Sequence, residues 1–346
     1  MLLAEVALAR HEVTPDKQKP ALLKEVKDTL ARAAKADPKV FGLRTVRSKL
    51  AEIEGKPAEA LRLLEEEVKV HPTRTGAAVN LAQHYLAKER PADARKVYER
   101  TLNDGNQDPV IYVQLANILL QHENDVEGAI GQLKEAIALS PDHPEIRLLL
   151  SEIYLQARDF DRAGGVLKEQ MKRFPKDIRA PLLLAQVAMT QKKFDDARAL
   201  LTPILARDKD NRDAALLLYL TAILSGKDLI AARAQAVRVV GDRLSLAQTL
   251  MQQLQFKEAG VLLDEAIARR PKDEQGYLLR VVVHAAQGEE KLAQAIMTKR
   301  LASADEAQRK ALKGQYDEAL AGGNKMRQAI EAMSTVKDPA LEPPPT

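Results

Sequence analysis

The chain has 346 residues, 45% of them hydrophobic and 29% charged, which is enough apolar material for a folded core and unlike a disordered composition. It contains no Cys and no Trp, and aromatics make up 3%; this excludes disulfide scaffolds, thiolate metal sites and cysteine nucleophiles, and leaves a core of Ala, Leu, Val and Ile. A formal net charge of +4 is small for this length and excludes the concentrated basic footprint of a nucleic-acid binder.

Taken in chain order, Met1-Leu2-Leu3-Ala4-Glu5-Val6 opens inside an amphipathic helix pattern with no cap before it. Glu5 and Arg10 interrupt the only stretch that resembles a signal peptide. Two readings of this start stay open: a native cytosolic beginning, or a piece excised from a longer chain. Residues 1–40 are expected to form an irregular helical hairpin, since Leu30, Ala33 and Pro38 fit the end of a repeated unit.

From residue 41 one phrase recurs. Lys56-Pro57-Ala58-Glu59-Ala60-Leu61, Arg90-Pro91-Ala92-Asp93-Ala94-Arg95, Asn124-Asp125-Val126-Glu127-Gly128-Ala129, Asp159-Phe160-Asp161-Arg162-Ala163 and Lys193-Phe194-Asp195-Asp196-Ala197-Arg198 are versions of it. Marked at its alanine, it falls at Ala60, Ala94, Ala129, Ala163, Ala197 and Ala231, then at Ala259, Ala293 and Ala319. Prolines at Pro38, Pro72, Pro141, Pro175 and Pro271 punctuate the pattern. Each unit reads as a helix, a short turn, a second helix and a proline stop. Between Pro144 and Pro175, for example, Leu148, Leu149, Leu150, Ile153, Tyr154 and Leu155 carry helical apolar spacing. Ala157-Arg158-Asp159 breaks it, and Ala163, Val166, Leu167 and Met171 resume it. The alanine must be small because two antiparallel helices approach closely there. One hairpin cannot bury its own apolar face, but a stack of hairpins can. The shortened interval from Ala231 to Ala259 predicts a compressed unit or a local break.

This pattern resembles the tetratricopeptide repeat family. With units counted from Phe41, Thr75, Pro109, Pro144, Ile178 and Arg212, the family's small residue at position 8 falls on Ser48, Ala82, Ala116, Ser151 and Ala185. Its leucine at position 7 falls on Leu81, Leu115, Leu150, Leu184 and Leu218, and its position-11 tyrosine survives at Tyr85 and Tyr154. The tryptophan common at position 4 is missing throughout. The resemblance implies an all-α fold, a right-handed α-solenoid (superhelix) of stacked antiparallel helix pairs. It divides the chain into the hairpin at 1–40, a solenoid of about seven to eight repeats at 41–300, a C-terminal helical cap or degenerate repeat at 301–333 and a disordered Pro-rich tail at 334–346.

In that family the first helix of each unit lines the concave face, so the resemblance implies a groove there. Position 5 supplies Val79, Val113, Leu148, Leu182 and Leu216; position 9 supplies Gln83, Asn117, Glu152, Gln186 and Leu220. Positions 5, 9 and 12 share one helical face, and positions 4, 8 and 11 opposite are also apolar or small. A helix apolar on two faces is buried on both or keeps one for a partner. The groove reading expects a peptide or helix of another protein held between apolar walls and side-chain amides. The competing reading has positions 5 and 12 packed against the neighbouring unit.

Nothing in the sequence requires catalysis, a cofactor or a metal. The six histidines, His11, His71, His84, His122, His143 and His284, lack metal-ligand spacing, and His71 and His143 are expected as structural or solvated residues at helix stops. Glu65-Glu66-Glu67 and His122-Glu123-Asn124-Asp125 read as solvated faces and turns. Gly164-Gly165 and Gly322-Gly323-Asn324 are too short for phosphate loops. The two-carboxylate clamp by which some relatives bind chaperone tails matches only at Asn80, and the asparagine ladder of glycosyltransferase relatives stops after Asn80 and Gln114. Lys172, Arg173, Lys176 and Arg179, with Lys192, Lys193 and Arg198 a unit later, form a basic cluster, read either as an anion-facing patch or as snorkelling side chains on a solvated surface. No apolar run of about 18 residues predicts a transmembrane helix.

The expectation is therefore a noncatalytic, soluble scaffold, cytoplasmic or periplasmic, whose partner is another protein. Nucleic acid is not expected as a partner, and self-association through unfinished solenoid ends stays open. The alternative is the repeat segment of a larger bacterial envelope or exopolysaccharide export protein, to which these Ala/Leu-rich repeats are similar, acting through convex or edge surfaces.

Overall fold

A computed structural model of the chain describes residues 2–13, 15 and 19–335. Among these residues the chain forms α-helices and no strand. In order they are α1 (Leu2–Val13), α2 (Lys19–Ala36), α3 (Leu43–Ile53), α4 (Pro57–Val70), α5 (Thr75–Ala87), α6 (Pro91–Asn103), α7 (Pro109–His122), α8 (Val126–Leu139), α9 (Pro144–Gln156) and α10 (Phe160–Arg173). There follow α11 (Arg179–Thr190), α12 (Phe194–Arg207), α13 (Arg212–Ser225), α14 (Leu229–Val240), α15 (Arg243–Gln252), α16 (Phe256–Arg269), α17 (Glu274–Ala286), α18 (Glu290–Ala302) and α19 (Glu306–Thr335). The helices group into two units, Met1–Ala180 and Pro181–Thr346, with the division inside α11.

The first unit is a row of antiparallel hairpins: α1 with α2, α3 with α4, α5 with α6, α7 with α8 and α9 with α10. The second helix of one hairpin packs on the first helix of the next, as α4 does on α5, α6 on α7 and α8 on α9. The apolar residues form consecutive clusters with no central core. One joins Ala7, Val26, Leu30 and Val46; the next holds Leu81, Tyr98 and Ile111; a third holds Leu119, Leu133 and Tyr154. This is the solenoid solution, in which each apolar face is buried by its neighbour.

The turn inside each hairpin explains the repeated phrase. Gly55, Glu89, Asn124 and Arg158 have left-handed backbones, and each sits two residues before the second helix. The next residue's amide reaches back five positions, Lys56 N to Ala51 O at 2.8 Å, Arg90 N to Tyr85 O at 2.9 Å and Asp159 N to Tyr154 O at 2.8 Å. This hydrogen bond back into the first helix satisfies a carbonyl that would otherwise be orphaned. The second helix then starts on a proline (Pro57, Pro91) or under an aspartate cap, Asp125 accepting from Gly128 N at 2.8 Å and Asp159 from Arg162 N at 2.9 Å. Counted from that start, Ala60, Ala94, Ala129 and Ala163 are each the fourth helical residue, and each is 0% exposed. A methyl is all that fits between the paired helices.

The second unit repeats this plan in α12, α16 and α18, where Ala197, Ala259 and Ala293 again come fourth and are fully buried. Between them the register changes. Ala231 was expected to continue the series, but it is the third residue of α14 and is exposed; Ala232 takes the buried place. The turn is the cause. Helix α13 ends on left-handed Gly226 (φ 70°), whose amide bonds Ala222 O at 2.9 Å, and left-handed Asp228 stands immediately before α14. The second helix therefore begins one residue late. The predicted compression is spread over three places: α14 has 12 residues, α15 has 10, and only Gly241 and Asp242 join them. Between α12 and α13, by comparison, four residues (208–211) intervene.

The chain's last described helix departs from expectation too. Ala319 does not open a second helix; it lies inside α19, an unbroken helix of 30 residues. Gly322-Gly323 is a contact point: a Cβ on Gly323 would stand 2.5 Å from Ala285 Cβ and 2.6 Å from Val282 O, so α19 meets α17 backbone to backbone. Tyr316, Leu312 and Leu320 of the same helix pack with Val281, Ala293 and Met297. Residues 334 and 335, assigned to the tail from sequence, belong to α19, and 336–346 lie outside the described residues.

Candidate functional site

In the first unit the row of predicted groove residues lies on α5, α7 and α9. Val79 and Val113 are half-buried, each with one flank against a core cluster, and Leu86, Leu120 and Leu155 at position 12 repeat this state. Gln83 and Glu152 are exposed between them and Asn117 is half-buried. The amides of Gln83 and Asn117 make no hydrogen bond to another described residue. Leu148 differs from its counterparts: it is 5% exposed and belongs to the packed interior. Both readings of position 5 are thus met in part, because the side chains are anchored in the core on one flank and open on the other. What results chemically is an apolar strip interleaved with uncommitted amides, suited to contacting aliphatic side chains and bonding backbone N–H and C=O groups.

The second unit carries the same positions on α11 and α13. Leu182, Leu216 and Leu220 are half-buried and Gln186 is exposed. Leu216, Leu220 and Ile223 lean on the large cluster around Tyr219, Leu250 and Leu262. On α17 the equivalent residues are closed off. Ala285 is 0% exposed under Gly323, and Val282 and Ile330 of α19 pack against that same cluster. The glycine pair was visible in the sequence, but its meaning as a close helix crossing needed the position of α17.

The basic group is largely compensated. Arg173 pairs with Glu169 and Asp142, each at 3.3 Å. Arg179 pairs with Asp177 and Glu145, each at 2.8 Å, and these bonds raise its pKa further above the guanidinium range. Lys172 and Lys176 are exposed, Lys172 lying 3.9 Å from Glu169. These residues stitch successive helices and leave little free positive charge.

Two acidic residues need correction or addition. Glu67, expected on a solvated face, is 0% exposed. Its carboxylate accepts the amides of Gly42 at 2.5 Å and Arg44 at 3.1 Å, and so caps the start of α3 from a different helix. Glu258, not singled out from sequence, is buried in the second unit, where it accepts Tyr219 Oη at 2.6 Å and Arg233 Nε at 2.5 Å. Burial and then that hydrogen bond push the Tyr219 phenol well above its ordinary range. Both carboxylates are engaged by structural partners. Among the described residues no group of three or more His, Asp or Glu is placed to hold a metal. His71 stacks edge-on against Phe41 with ring centroids 5.5 Å apart, His84 meets Glu52 at 3.0 Å and His284 meets Glu289 at 2.7 Å. No helix among the described residues is long and apolar enough to cross a membrane.

These features define an all-α solenoid of helical hairpins. Residues 52–118, 120–177 and 155–219 match the Tetratricopeptide repeat family, and the chain belongs to that family. No curated protein matches the sequence. Among solved structures, the C-terminal part of a TPR repeat-containing protein from Cytophaga hutchinsonii is 13% identical with a TM-score of 0.50, covering 66% of this chain and 96% of that one. A chain in the structure of Naa15/Naa10 bound to HypK-THB is 15% identical with a TM-score of 0.50, and the match covers 98% of this chain and 52% of that one. A tetratricopeptide repeat protein from Parabacteroides merdae is 14% identical with a TM-score of 0.45, over 80% of this chain and 98% of that one. At these identities the likeness is one of fold.

Proposed function

We propose that the chain is a noncatalytic protein-interaction scaffold, and that a peptide or helix of a partner protein docks on the first-helix row of the first unit. The observation that supports this is the alternation on α5 and α7. Val79 and Val113 keep part of their surface open beside the unbonded amides of Gln83 and Asn117, a combination an ordinary solvated surface does not need. Glu152 extends the row on α9, and Leu148 supports it from beneath. In the second unit, Leu182, Gln186, Leu216 and Leu220 form a shorter row of the same kind. The compensation of Arg173 and Arg179 disfavours an anion-binding role for the basic group.

The test is capture of partners from the source proteome on the immobilised full chain, compared with the Val79→Ser/Val113→Ser variant. The expected result is loss of the specifically captured protein with an unchanged far-UV circular dichroism spectrum. Undiminished capture by the folded variant overturns the assignment of this row.

A further inference from the structure

A cleft of about 420 Å³ opens in the second unit between α12 and α14, with α13 as its floor. Its apolar lining includes Thr202, Leu205, Leu218, Ala222, Ala231 and Ala232. This size lies within the roughly 300–1,000 Å³ typical of ligand pockets. Two rim positions of the cleft carry small uncharged residues. From α4 onward the third residue of the other second helices is Glu59, Asp93, Gly128, Arg162, Asp196, Glu258 or Leu292, mostly charged; at this turn it is Ala231. The opposite wall follows suit. The ninth residue of the second helix is charged in five hairpins (Glu65, Glu99, Lys134, Lys168 and Asp264), but it is Val237 in α14, Thr298 in α18 and, at this cleft, Thr202 in α12. Both rim charges are missing where the cleft opens.

The charges that line it are two cations, Arg198 and Lys209, and one anion, Asp228, and the cations are incompletely used. At one end Arg198 Nη1 lies 3.4 Å from Asp195 and 3.5 Å from Asp228, while its Nη2 is buried without an acceptor. A buried guanidinium donor without an acceptor is costly, and an incoming carboxylate would relieve it. At the other end the backbone carbonyl of Lys209 is held by Gln235 at 2.7 Å and by Arg238 at 2.5 Å, which fixes the chain there. The Lys209 ammonium has no partner among the described residues.

We propose that this cleft docks a segment of a partner protein that presents a leucine-sized aliphatic side chain beside a carboxylate. The aliphatic group enters between Ala222, Ala231 and Leu205, and the carboxylate reaches Arg198. The cleft lies between two second helices over Leu218 and Ala222 of α13, and it uses none of the residues of the first-helix row proposed above.

The test uses the full chain labelled with ¹³C at alanine methyls, titrated with N-acetyl-leucine, N-acetyl-leucinamide, N-acetylglycine and hexanoate. N-acetyl-leucine should move the Ala222, Ala231 and Ala232 methyl signals saturably. The amide, which lacks the carboxylate, and the glycine derivative, which lacks the side chain, should each bind about tenfold more weakly or worse. Ala231→Glu and, separately, Thr202→Glu restore the charges of the other repeats at exposed positions, and each should abolish the shifts while the thermal melt is unchanged. Arg198→Gln should reduce N-acetyl-leucine to the level of its amide. Absent shifts, equal response to acid and amide, or full binding by the folded Ala231→Glu and Thr202→Glu variants overturns the proposal. Tighter binding of hexanoate, which has no peptide group, would give the cleft to a small carboxylic acid and overturn the protein-segment reading.

Discussion

The hairpins of the first unit and the α13–α15 stretch of the second are made from the same residue types, yet they bury them differently. In α4, α6, α8 and α10 a left-handed residue two places before the helix delivers the fourth residue, always alanine, to the closest helix contact. At α14 the left-handed residue stands one place nearer, and the buried place passes to Ala232. A shift of one residue in a turn thus decides which of two adjacent alanines is core and which is surface. The regular stretch presents interchangeable repeats, and the irregular one presents a distinct cleft.

The largest test of this contrast concerns the third position of the second helix. Glu59 and Glu258 both occupy it, but Glu59 is exposed and Glu258 holds Tyr219 and Arg233 together in the interior. Glu258→Ala should cost about 2–3 kcal/mol, because it leaves the buried Tyr219 phenol without its acceptor and the half-buried Arg233 guanidinium with only Glu265 at 3.4 Å. Glu59→Ala should change stability by less than about 0.5 kcal/mol. Urea unfolding of the two variants measures both. Equal effects would mean that the interior network carries no net stability.

Next in size is the alanine series. Ala129→Leu and Ala232→Leu should each cost about 1–3 kcal/mol through overpacking, whereas Ala231→Leu should fall within about 0.5 kcal/mol of the parent. If Ala231→Leu were the costly member, the register change would be wrong and the regular repeat would run through α14.

The buried phenols differ among themselves, and Tyr85 of the first unit donates to Glu65 at 3.0 Å. Tyr219 and Tyr316 donate to Glu258 and Glu274, but Tyr98 in the first unit is 0% exposed with its hydroxyl unbonded. Burial alone pushes its pKa up to about 12. The folded value lies above the ordinary value of about 10, so this residue's contribution is fully present below pH ~10 and is lost as the pH rises toward 12. Tyr98→Phe should raise stability near neutrality by about 1 kcal/mol and flatten the alkaline loss between those values. Denaturant midpoints measured across that range check the sign.

Much of the fold was legible because the phrase alanine and the proline stops recur at a fixed interval, and periodicity survives weak conservation of any single position. The slip at α14 was not, since Ile230-Ala231-Ala232 offers two equivalent methyls and only the conformations of Gly226 and Asp228 choose between them. Glu67 was misread for a different reason. Within Glu65-Glu66-Glu67 nothing local marks one carboxylate as buried; its partners are the amides of Gly42 and Arg44, more than 20 residues earlier, brought close by packing. For the candidate groove, helical spacing was enough to put Val79, Gln83, Val113 and Asn117 on one face. The burial of Leu148 and the covering of Ala285 by α19 depend on what lies opposite, which spacing cannot supply.

The smallest test addresses the turns that generate the whole difference. Glu89 in the α5–α6 turn adopts φ 56°, where a side chain clashes with its own backbone; Gly226 in the α13–α14 turn adopts φ 70° without that penalty. Glu89 is exposed and no ion pair is formed by its carboxylate among the described residues, so only the backbone term changes on substitution. Glu89→Gly should therefore stabilise the first unit by about 0.5–1 kcal/mol, the strain relieved exceeding the flexibility added to the unfolded chain. Gly226→Ala should destabilise the second unit by a similar amount, since it introduces the same strain where none existed. Opposite signs of this size in paired thermal melts would tie the two registers to their turns. Equal signs would mean that helix packing, and not the left-handed residue, sets where each second helix begins.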